Sequence, residues 1–337
     1  MLEWLADGGA WAARRLAVSF LMPSSRDSVL ALGSGWLIGL FAFRYYFGRE
    51  GFSLGGYLRH AFPARVYRSR SFAVDVQVFL FDRLLAPMRW VAKVVSVTLA
   101  ASVMAGGLER LFGPAGRGEL GTGGTIVLAA LLFLAFDLGT YITHRLSHQV
   151  PVLWAFHRLH HSAEELNPLT LSRKHPVYTL LGVMIDCVTV APLQALVLYA
   201  FGGASGAAVA ALANTGFVLF AYCAASLRHT HIWLSYGPVL ERVLVSPALH
   251  QIHHSRAPRH FDRNFGEVLS VWDWMFGSLY LPRGREELSF GIAGEERQPH
   301  PTLAAALLEP FGYAWRVVRK PRPIIEADVA PVPDQPA

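Results

Sequence analysis

The amino-acid sequence predicts an all-α integral membrane protein with about four to five transmembrane helices and a helical cap on one membrane face. Composition is the first observation: 53% of the 337 residues are hydrophobic and only 16% are charged, against ~25% charged in soluble domains. The second is the stretch from Cys187 to Leu227, whose 41 residues include no Asp, Glu, Lys, Arg or His, whereas one bilayer crossing needs ~20 residues. A buried hairpin of a soluble protein could be equally apolar, but is not usually this long.

The predicted spans follow from the apolar stretches in chain order. Residues 29–47 predict the first span, and the uncharged residues 94–108 predict the second. Residues 120–143 are apolar apart from Asp137 near their end, and predict the third. Because each stretch is long enough to cover most of a hydrocarbon core, all three are candidate crossings.

The long uncharged stretch predicts a helical hairpin. Its middle is interrupted by "GGASG" at 202–206, so one helix is expected over 178–201 and a returning helix over 205–227. A further apolar stretch, 72–85, carries Asp75, and is either an interfacial helix or the lower part of the second span.

The two ends of the sequence predict no further crossing. Residues 1–28 are only partly apolar and favour an amphipathic surface helix over a cleavable signal peptide. Residues 320–337 are rich in Pro and Ala, which predicts a disordered tail. Cys187 and Cys223 lie inside predicted spans, where they are packing residues and indicate neither a disulfide nor a cysteine metal site.

The net charge of +6 comes from basic residues in loops beside the spans. The segment 48–73 carries five arginines against the single acidic residue Glu50. An excess of Arg and Lys marks a cytoplasmic loop, so we expect this segment in the cytoplasm and no nucleic-acid partner. Two spans later His144 returns to the same side, and the 178–227 hairpin returns the chain there at His229. Histidines far apart in sequence are therefore expected to meet at the cytoplasmic face.

The first histidine box, "HRLSH", ends the third predicted span. Asp137, Tyr141, His144 and His148 follow the spacing i, i+4, i+7, i+11, which places them on one helix face. The span therefore carries a polar stripe as it leaves the membrane, and His144 and His148 can chelate one metal ion.

Two further boxes, "HRLHH" and "HQIHH", have the spacing i, i+3, i+4. They comprise His157, His160 and His161 in one box and His250, His253 and His254 in the other. On a helix all three side chains of a box point roughly one way, but adjacent residues differ by ~100° in direction. His160 and His161 could therefore serve two different metal ions.

The number of histidines predicts two metal ions. The boxes supply eight, and His229 and His231, spaced i, i+2, could raise the total to ten. A tetrahedral zinc site needs four ligands, whereas two ions of higher coordination need about this many. Imidazole suits iron, copper, nickel and zinc alike. The alternative is that three histidine clusters lie on one membrane face by chance. The zinc-protease motif HExxH does not occur in the sequence.

The boxes and their surroundings resemble the fatty acid hydroxylase / sterol desaturase superfamily, whose members are membrane di-iron oxygenases of lipid metabolism. "HRLSH", "HRLHHS" and "HQIHHS" match its HxxxH, HxxHH and HxxHH boxes, and "DLGTYITHR" and "NFGEVLSVWDWMFGSLYLP" read like its typical context. The resemblance covers about 125–285. It implies a catalytic domain over 121–285, after an N-terminal membrane or interfacial region, 1–120, and before a C-terminal extension, 286–337.

The resemblance implies that two iron ions, O2 and external electrons hydroxylate an unactivated C–H bond of a lipid. Desaturation and ether-lipid oxidation would use the same boxes. Relatives often have His-x-Asn where this chain has His229-Thr230-His231, so either histidine could be the ligand. No fused cytochrome b5 domain is evident, which implies a separate cytochrome b5-like or ferredoxin-like electron donor.

Several residues outside the boxes are expected to act at the site. Asp137, Asp186, Asp262 and Asp273 are candidates to accept ligand N–H groups and orient the rings, although Asp186 could equally be a packing partner between helices. The expected catalytic residues are Asp137, Tyr141, His175 and Asp186.

The lone histidines and the function of the whole chain also allow interpretations without catalysis. His60, His260 and His300 are expected to be solvated or capping residues rather than ligands. The whole chain could also be a non-enzymatic metal transporter or sensor, although transport would place ligands near the bilayer midplane and acidic residues along the path.

Overall fold

The computed structural model describes residues 29–48, 52–85, 97–115, 120–202, 226–295 and 297–319. In these ranges every regular element is helical, and the β contacts are two isolated bridges, Leu244 with Leu269 and Ser255 with Phe290. The predicted all-α class is therefore confirmed for this part of the chain.

The described helices are numbered in chain order. The first six are α1 (Val29–Phe47), α2 (Leu54–Ala61), α3 (Ala64–Tyr67), α4 (Arg70–Leu84), α5 (Val97–Phe112) and α6 (Thr122–Gln149). The others are α7 (Pro151–His161), α8 (Pro176–Ala200), α9 (Ser226–Arg228), α10 (Gly237–Leu240), α11 (Pro247–His253), α12 (Val271–Met275) and α13 (Leu303–Arg319), with 3-10 turns at Pro168–Ser172 and Pro258–His260.

Three helices, α1, α6 and α8, are long and apolar enough to cross a membrane. They confirm helices at the predicted spans 29–47, 120–143 and 178–201, and each is a candidate crossing by its length and composition. Their outward side chains are apolar, as Phe41, Leu131 and Val188 illustrate.

The other two predicted crossings are not established. The helix α5 begins directly after residues 86–96, which lie outside the described ranges, so the second predicted crossing is not tested. The returning helix predicted over 205–227 lies outside the described residues apart from its last two positions. Residues 1–28, Cys223 and the predicted tail also lie outside them.

The spans α6 and α8 cross at close range. A Cβ at Gly139 would lie 2.2 Å from the Cγ2 atom of Val190, so this crossing requires glycine. One turn further along α6, the hydroxyl of Thr143 donates to Oδ1 of Asp186 on α8 at 2.6 Å. Small and polar residues therefore join the two helices just below the first histidine box.

The cap is built on helices that begin at proline. Pro151, Pro176 and Pro247 each occupy the first turn of their helix, where the missing N–H costs nothing. His175 caps α8 through Nδ1, and Ser246 caps α11 through Oγ. These starts set the helical register of the second and last histidine boxes.

The ambiguous stretch at 72–85 forms the separate helix α4, which packs on the cap. Val74 and Val78 share a core cluster with Leu159 of α7 and Ala306 of α13. Asp75, the charge that made this stretch ambiguous, is fully buried and accepts from Arg173 Nη1 at 2.8 Å. Helices α4 and α13, from the two ends of the described chain, therefore both pack against α7, which carries the second box.

Candidate metal centre

Nine histidines from four separate segments converge at the cap end of α6. The five-histidine group contains His144, His148, His157, His161 and His253, and the four-histidine group contains His160, His229, His250 and His254. In each group the candidate ligand atoms all lie within 4.8 Å of one another. The boxes, which lie far apart in sequence, thus come together in the structure.

The two groups meet through adjacent residues. His160 belongs to one group and His161 to the other, and His253 and His254 divide in the same way. This division follows from the ~100° step between neighbours on a helix. The rings of His161 and His254 stack with centroids 4.3 Å apart, so the two groups are in direct contact.

Within each group the Nε2 atoms point at one another. In the five-histidine group, His157 Nε2 lies 3.2 Å from His148 Nε2 and 3.1 Å from His161 Nε2. In the four-histidine group, Nε2 of His250 lies 3.1 Å from that of His229 and 3.2 Å from that of His254. An imidazole nitrogen binds a metal ion at ~2.0–2.1 Å, so two nitrogens on one ion lie about 3.0–3.4 Å apart.

The protonation state of the cluster suits a cation. Burial lowers the pKa of His157, His160 and His161 well below 6.5, and that of His250, His253 and His254 equally. The rings are therefore neutral at physiological pH, which is the form that binds metal. Among the described residues no hydrogen-bond partner reaches the buried Nε2 of His253. An ion in each group would be coordinated by nitrogens that converge on one point, so the donor set fits a metal pair.

Backbone carbonyls orient two of these rings. His144 Nδ1 lies 2.8 Å from the carbonyl oxygen of Phe265, and His253 Nδ1 lies 2.9 Å from that of Arg263. With Nδ1 donating its proton to a carbonyl, Nε2 keeps its lone pair for the cluster. The loop after the last box is therefore part of the site.

Asp273 holds that loop in place. Its carboxylate accepts from the backbone N–H groups of Phe265 and Gly266, both at 2.8 Å. A Cβ at Gly266 would lie 2.8 Å from Asp273 Oδ2 and 2.6 Å from the carbonyl oxygen of Leu269, so the loop closes this tightly only with glycine. Asp273 thus acts on His144 through the backbone.

Asp137 also contacts the loop rather than a histidine. It accepts from the backbone N–H groups of Val268 and Leu269 at 3.0 and 3.1 Å, and from Trp272 Nε1 at 2.9 Å. Asp262 adopts a positive φ of 55° beside Arg263, whose carbonyl oxygen orients His253. For Asp137 and Asp273, the predicted contact with ligand N–H groups is thus replaced by contacts with backbone N–H groups of the same loop.

Tyr141 and His175 lie away from the cluster. The Tyr141 hydroxyl is 2.9 Å from Ser278 Oγ and accepts from Arg145 Nη1, and its ring stacks on Phe276. His175 caps α8, and its Nε2 lies 3.1 Å from the carbonyl oxygen of Leu307 on α13. Each joins two segments of the cap.

His231 is the one predicted ligand that the structure places elsewhere. Its Nε2 contacts the carbonyl oxygen of His60, and the two rings meet edge to face at 5.2 Å. Adjacent His229 faces His160 and His250 instead. Spacing of i, i+2 sends the two side chains to different sides of the segment.

His260 and His300 are buried rather than solvated, which corrects the expectation for both. His260 Nε2 lies 3.1 Å from Glu286, and His300 Nε2 lies 3.0 Å from Glu309. The Glu309 carboxylate also binds Arg158 of α7. Because these partners are 9 to 151 residues away in sequence, local spacing gave no sign of them.

A cavity of about 280 Å³ opens beside the cluster, between α6 and α8. Rings from both histidine groups line it, and Asp186 and Thr143 line it deeper in the membrane-spanning region. Lys174, Arg228 and Glu267 also line it. Sequence analysis missed these three, although Lys174 belongs to the "SRKHP" segment that follows the second box.

The comparisons with known proteins agree with this geometry. Residues 129–278 match the fatty acid hydroxylase family. The chain is 29% identical over 192 residues to ornithine lipid hydroxylase OlsE of Rhizobium tropici, covering 56% of this chain and 53% of the relative. It is 32% identical over 158 residues to alkylglycerol monooxygenase of Danio rerio, covering 44% and 30%, and 31% identical over 160 residues to that of Homo sapiens, covering 48% and 32%.

The chain spans about half the length or less of these curated relatives. No solved structure matches it significantly. The matched region includes all ten predicted histidine ligands, so the resemblance seen in the boxes is confirmed.

Proposed function

Since residues 129–278 match the fatty acid hydroxylase family, we propose that the chain is a membrane-bound oxidoreductase that hydroxylates an unactivated C–H bond of a lipid. The observation that carries the proposal is the pair of adjacent histidine groups at the end of a membrane-spanning helix. O2 would supply one oxygen atom to the product. Two electrons and two protons reduce the other atom to water, and the C–H bond becomes C–OH.

Two iron ions are the proposed metals, one in each histidine group. Bound iron would supply the redox chemistry that activates O2. The chain itself supplies neutral imidazoles, and the Phe265 and Arg263 carbonyls orient two of them. It also supplies a cavity, between two spans, in which the substrate lies against the cluster. The electrons would come from a separate cytochrome b5-like or ferredoxin-like protein.

The site is proposed to face the cytoplasm. The basic segment at 48–73 lies on the same side as the boxes, because Ser71 Oγ accepts from the backbone N–H of Glu164 just after the second box. Arg65, Arg68 and Arg70 of this segment carry the charge that retains a loop in the cytoplasm. Cysteines introduced at Glu164 and Arg256, which are exposed beside the second and last boxes, should therefore react with a membrane-permeant thiol reagent and be protected from an impermeant one added outside intact cells.

Two observations bear on the other functions. The cluster lies at the last turns of α6 rather than at its middle, which favours an enzyme over a metal transporter. The relatives' names include an ornithine lipid hydroxylase and alkylglycerol monooxygenases. They therefore support both C–H hydroxylation and oxidation beside an ether oxygen.

Growth of an expressing strain under ¹⁸O2, followed by mass spectrometry of its lipids, tests the proposal. We expect a lipid species with one labelled oxygen in cells that carry the native chain and not in cells that carry His254→Ala. A species that loses two hydrogens and gains no label would indicate a desaturase. Identical lipids in both strains, with both proteins present in the membrane, would contradict the proposal.

A further inference from the structure

We infer that two short segments of the cap insert their apolar side chains into the headgroup region of the bilayer. The first apolar segment comprises residues 237–243, which begin with α10, and the second comprises residues 271–276, which begin with α12. Each carries three large apolar side chains that are 49–76% exposed, Val239, Leu240 and Val243 in the first and Trp274, Met275 and Phe276 in the second. The partner of this surface is lipid, and the inference rests on the membrane spans rather than on the proposed reaction.

Both segments bury a carboxylate and expose their apolar side chains. Asp273 is the buried residue of α12, and it accepts from the backbone N–H groups of Phe265 and Gly266. Glu241, directly after α10, is 1% exposed and accepts from Ser246 Oγ. A surface that faces water normally has the opposite arrangement, and exposed apolar patches mark sites of interaction. The outward side of the two segments therefore favours an apolar surrounding.

The position of the second segment along α6 identifies lipid as this surrounding. The exposed large apolar side chains of α6 extend from Ile126 to Leu134, on a helix that is long and apolar enough to cross a membrane. Asp137 follows Leu134 by three residues, which is ~4.5 Å along the helix axis. It accepts from the backbone N–H of Leu269 and from Trp272 Nε1 of α12. The second segment therefore begins where the lipid-facing part of α6 ends.

Backbone contacts place the first segment at the same level. Ser270, directly before α12, donates its backbone N–H to the carbonyl oxygen of Val243 at 3.0 Å, and Leu269 forms an isolated bridge with Leu244. Leu269 is also one of the residues that bind Asp137. The two segments therefore lie together beside α6 and continue its apolar surface towards the cap.

Arginines mark the level of the lipid headgroups. Arg145 lies eight residues beyond Asp137, which is ~12 Å along α6, and its Nη1 donates to the last carbonyl oxygen of the second segment at 3.3 Å. Arg242 lies in the first segment, and Arg263 donates to the carbonyl oxygen of residue 277 at 3.0 Å. Asp262 offsets part of the charge of Arg145 and Arg263. Basic and aromatic side chains together are typical of the membrane interface, where the leaflet carries anionic lipids.

Fluorescence quenching from the lipid side and from the water side tests the inference. In a chain with Cys187→Ala and Cys223→Ala, single cysteines at Leu240 and Met275 carry a fluorophore, and the protein is placed in nanodiscs of phosphatidylcholine and phosphatidylglycerol. Val188, exposed on α8, is the lipid reference, and Arg256 is the water reference. We expect both labels to be quenched by a lipid with a nitroxide near its headgroup and protected from iodide in the buffer.

The other quenching patterns contradict the inference in different ways. Iodide quenching equal to that at Arg256 would show that the segments face water. Protection from both quenchers would show that another part of the chain, or a second copy, covers the surface. A lack of lipid quenching at Val188 would overturn the span itself, and the inference with it.

A pair of charged substitutions tests whether the apolar side chains make the contact. Val239→Glu with Met275→Glu places two carboxylates at this level, and lipid quenching of the label at Leu240 should be lost because a charge in the bilayer is unfavourable. Val239→Leu with Met275→Leu is the matched control and should keep the quenching. Metal content should be unchanged in both variants, since neither residue belongs to the histidine groups. Equal lipid quenching in the two variants would overturn the inferred insertion of these side chains.

Discussion

Two buried polar clusters lie beside α7. They differ in whether the protein itself supplies hydrogen-bond partners for their buried polar atoms. The Arg173 network, which joins Arg173 to Asp75, Ser162 and Asn167, is complete. Arg173 donates to Asp75 at 2.8 Å and to Ser162 Oγ at 2.9 Å, and the second Asp75 oxygen accepts from Asn167 at 2.5 Å. In the histidine cluster, by contrast, nitrogens face nitrogens at 3.1–3.2 Å.

The difference separates a structural role from a functional one. Buried polar groups are normally hydrogen-bonded within the protein, and the Arg173 network follows this rule. In the histidine cluster, a bound cation would satisfy the Nε2 atoms that face each other. The two clusters are also connected, because Arg173 Nε donates to the Leu159 carbonyl oxygen, inside the second box, at 3.1 Å. The complete network therefore holds the helix that supplies three of the nine histidines.

The largest effect is expected from removing one imidazole from the incomplete cluster. In His144→Ala, His160→Ala and His254→Ala, metal content should fall and labelled product should become undetectable, because each residue belongs to a group that needs all its ligands. We expect the metal-free variants to fold, because the Arg173 network beside the second box is unchanged in each. Metal analysis and size-exclusion profiles in detergent measure both. A variant with full activity would exclude its box from the site.

Breaking the complete network should instead destabilise the fold. Asp75→Ala leaves the Arg173 guanidinium buried without its counter-charge, which typically costs about 3–5 kcal/mol. Thermal unfolding of the purified protein in detergent measures this loss. The double substitution Asp75→Leu with Arg173→Met is the control, and should recover most of the stability because no buried charge remains. Equal stability of Asp75→Ala and the native chain would show that the pair contributes little.

The histidine cluster was more predictable from sequence than the network that supports it. The i, i+3, i+4 spacing assigns adjacent His160 and His161 to different directions, because helix geometry is local. Arg173 and Asp75 are 98 residues apart, and nothing in either segment indicates the other. The position of His231 was not predictable from the number of histidines. A count of candidate ligands does not show which of the two histidines in a loop faces the site.

A smaller effect is expected at the loop that orients the first box. Asp273→Asn replaces an acceptor of two backbone N–H groups, so the Phe265 carbonyl should hold His144 less firmly. Loss of a supporting contact of this kind typically lowers metal affinity or activity by ~10–100-fold. Competition with a chelator, followed by metal analysis, gives the affinity. Asp262→Asn is the matched control in the same loop, and an equal effect in both variants would contradict a specific role for Asp273.

The smallest effect is expected at His231. Because its ring contacts His60 and not the cluster, His231→Asn should keep its metal and most of its activity. His229→Ala, two residues earlier, should lose metal from the four-histidine group. Metal content per chain distinguishes them. The reverse result, with His231→Asn depleted and His229→Ala intact, would mean that the loop binds the metal through the other histidine.

The number of iron ions per chain tests the central claim most directly. The protein is purified in detergent after growth with iron, dialysed against a weak chelator, and analysed for metals and protein in the same sample. Two histidine groups in contact predict about two tightly held irons per chain, with about one in His229→Ala. A single iron, or zinc that exchanges during dialysis, would contradict the metal pair and favour a metal-handling protein.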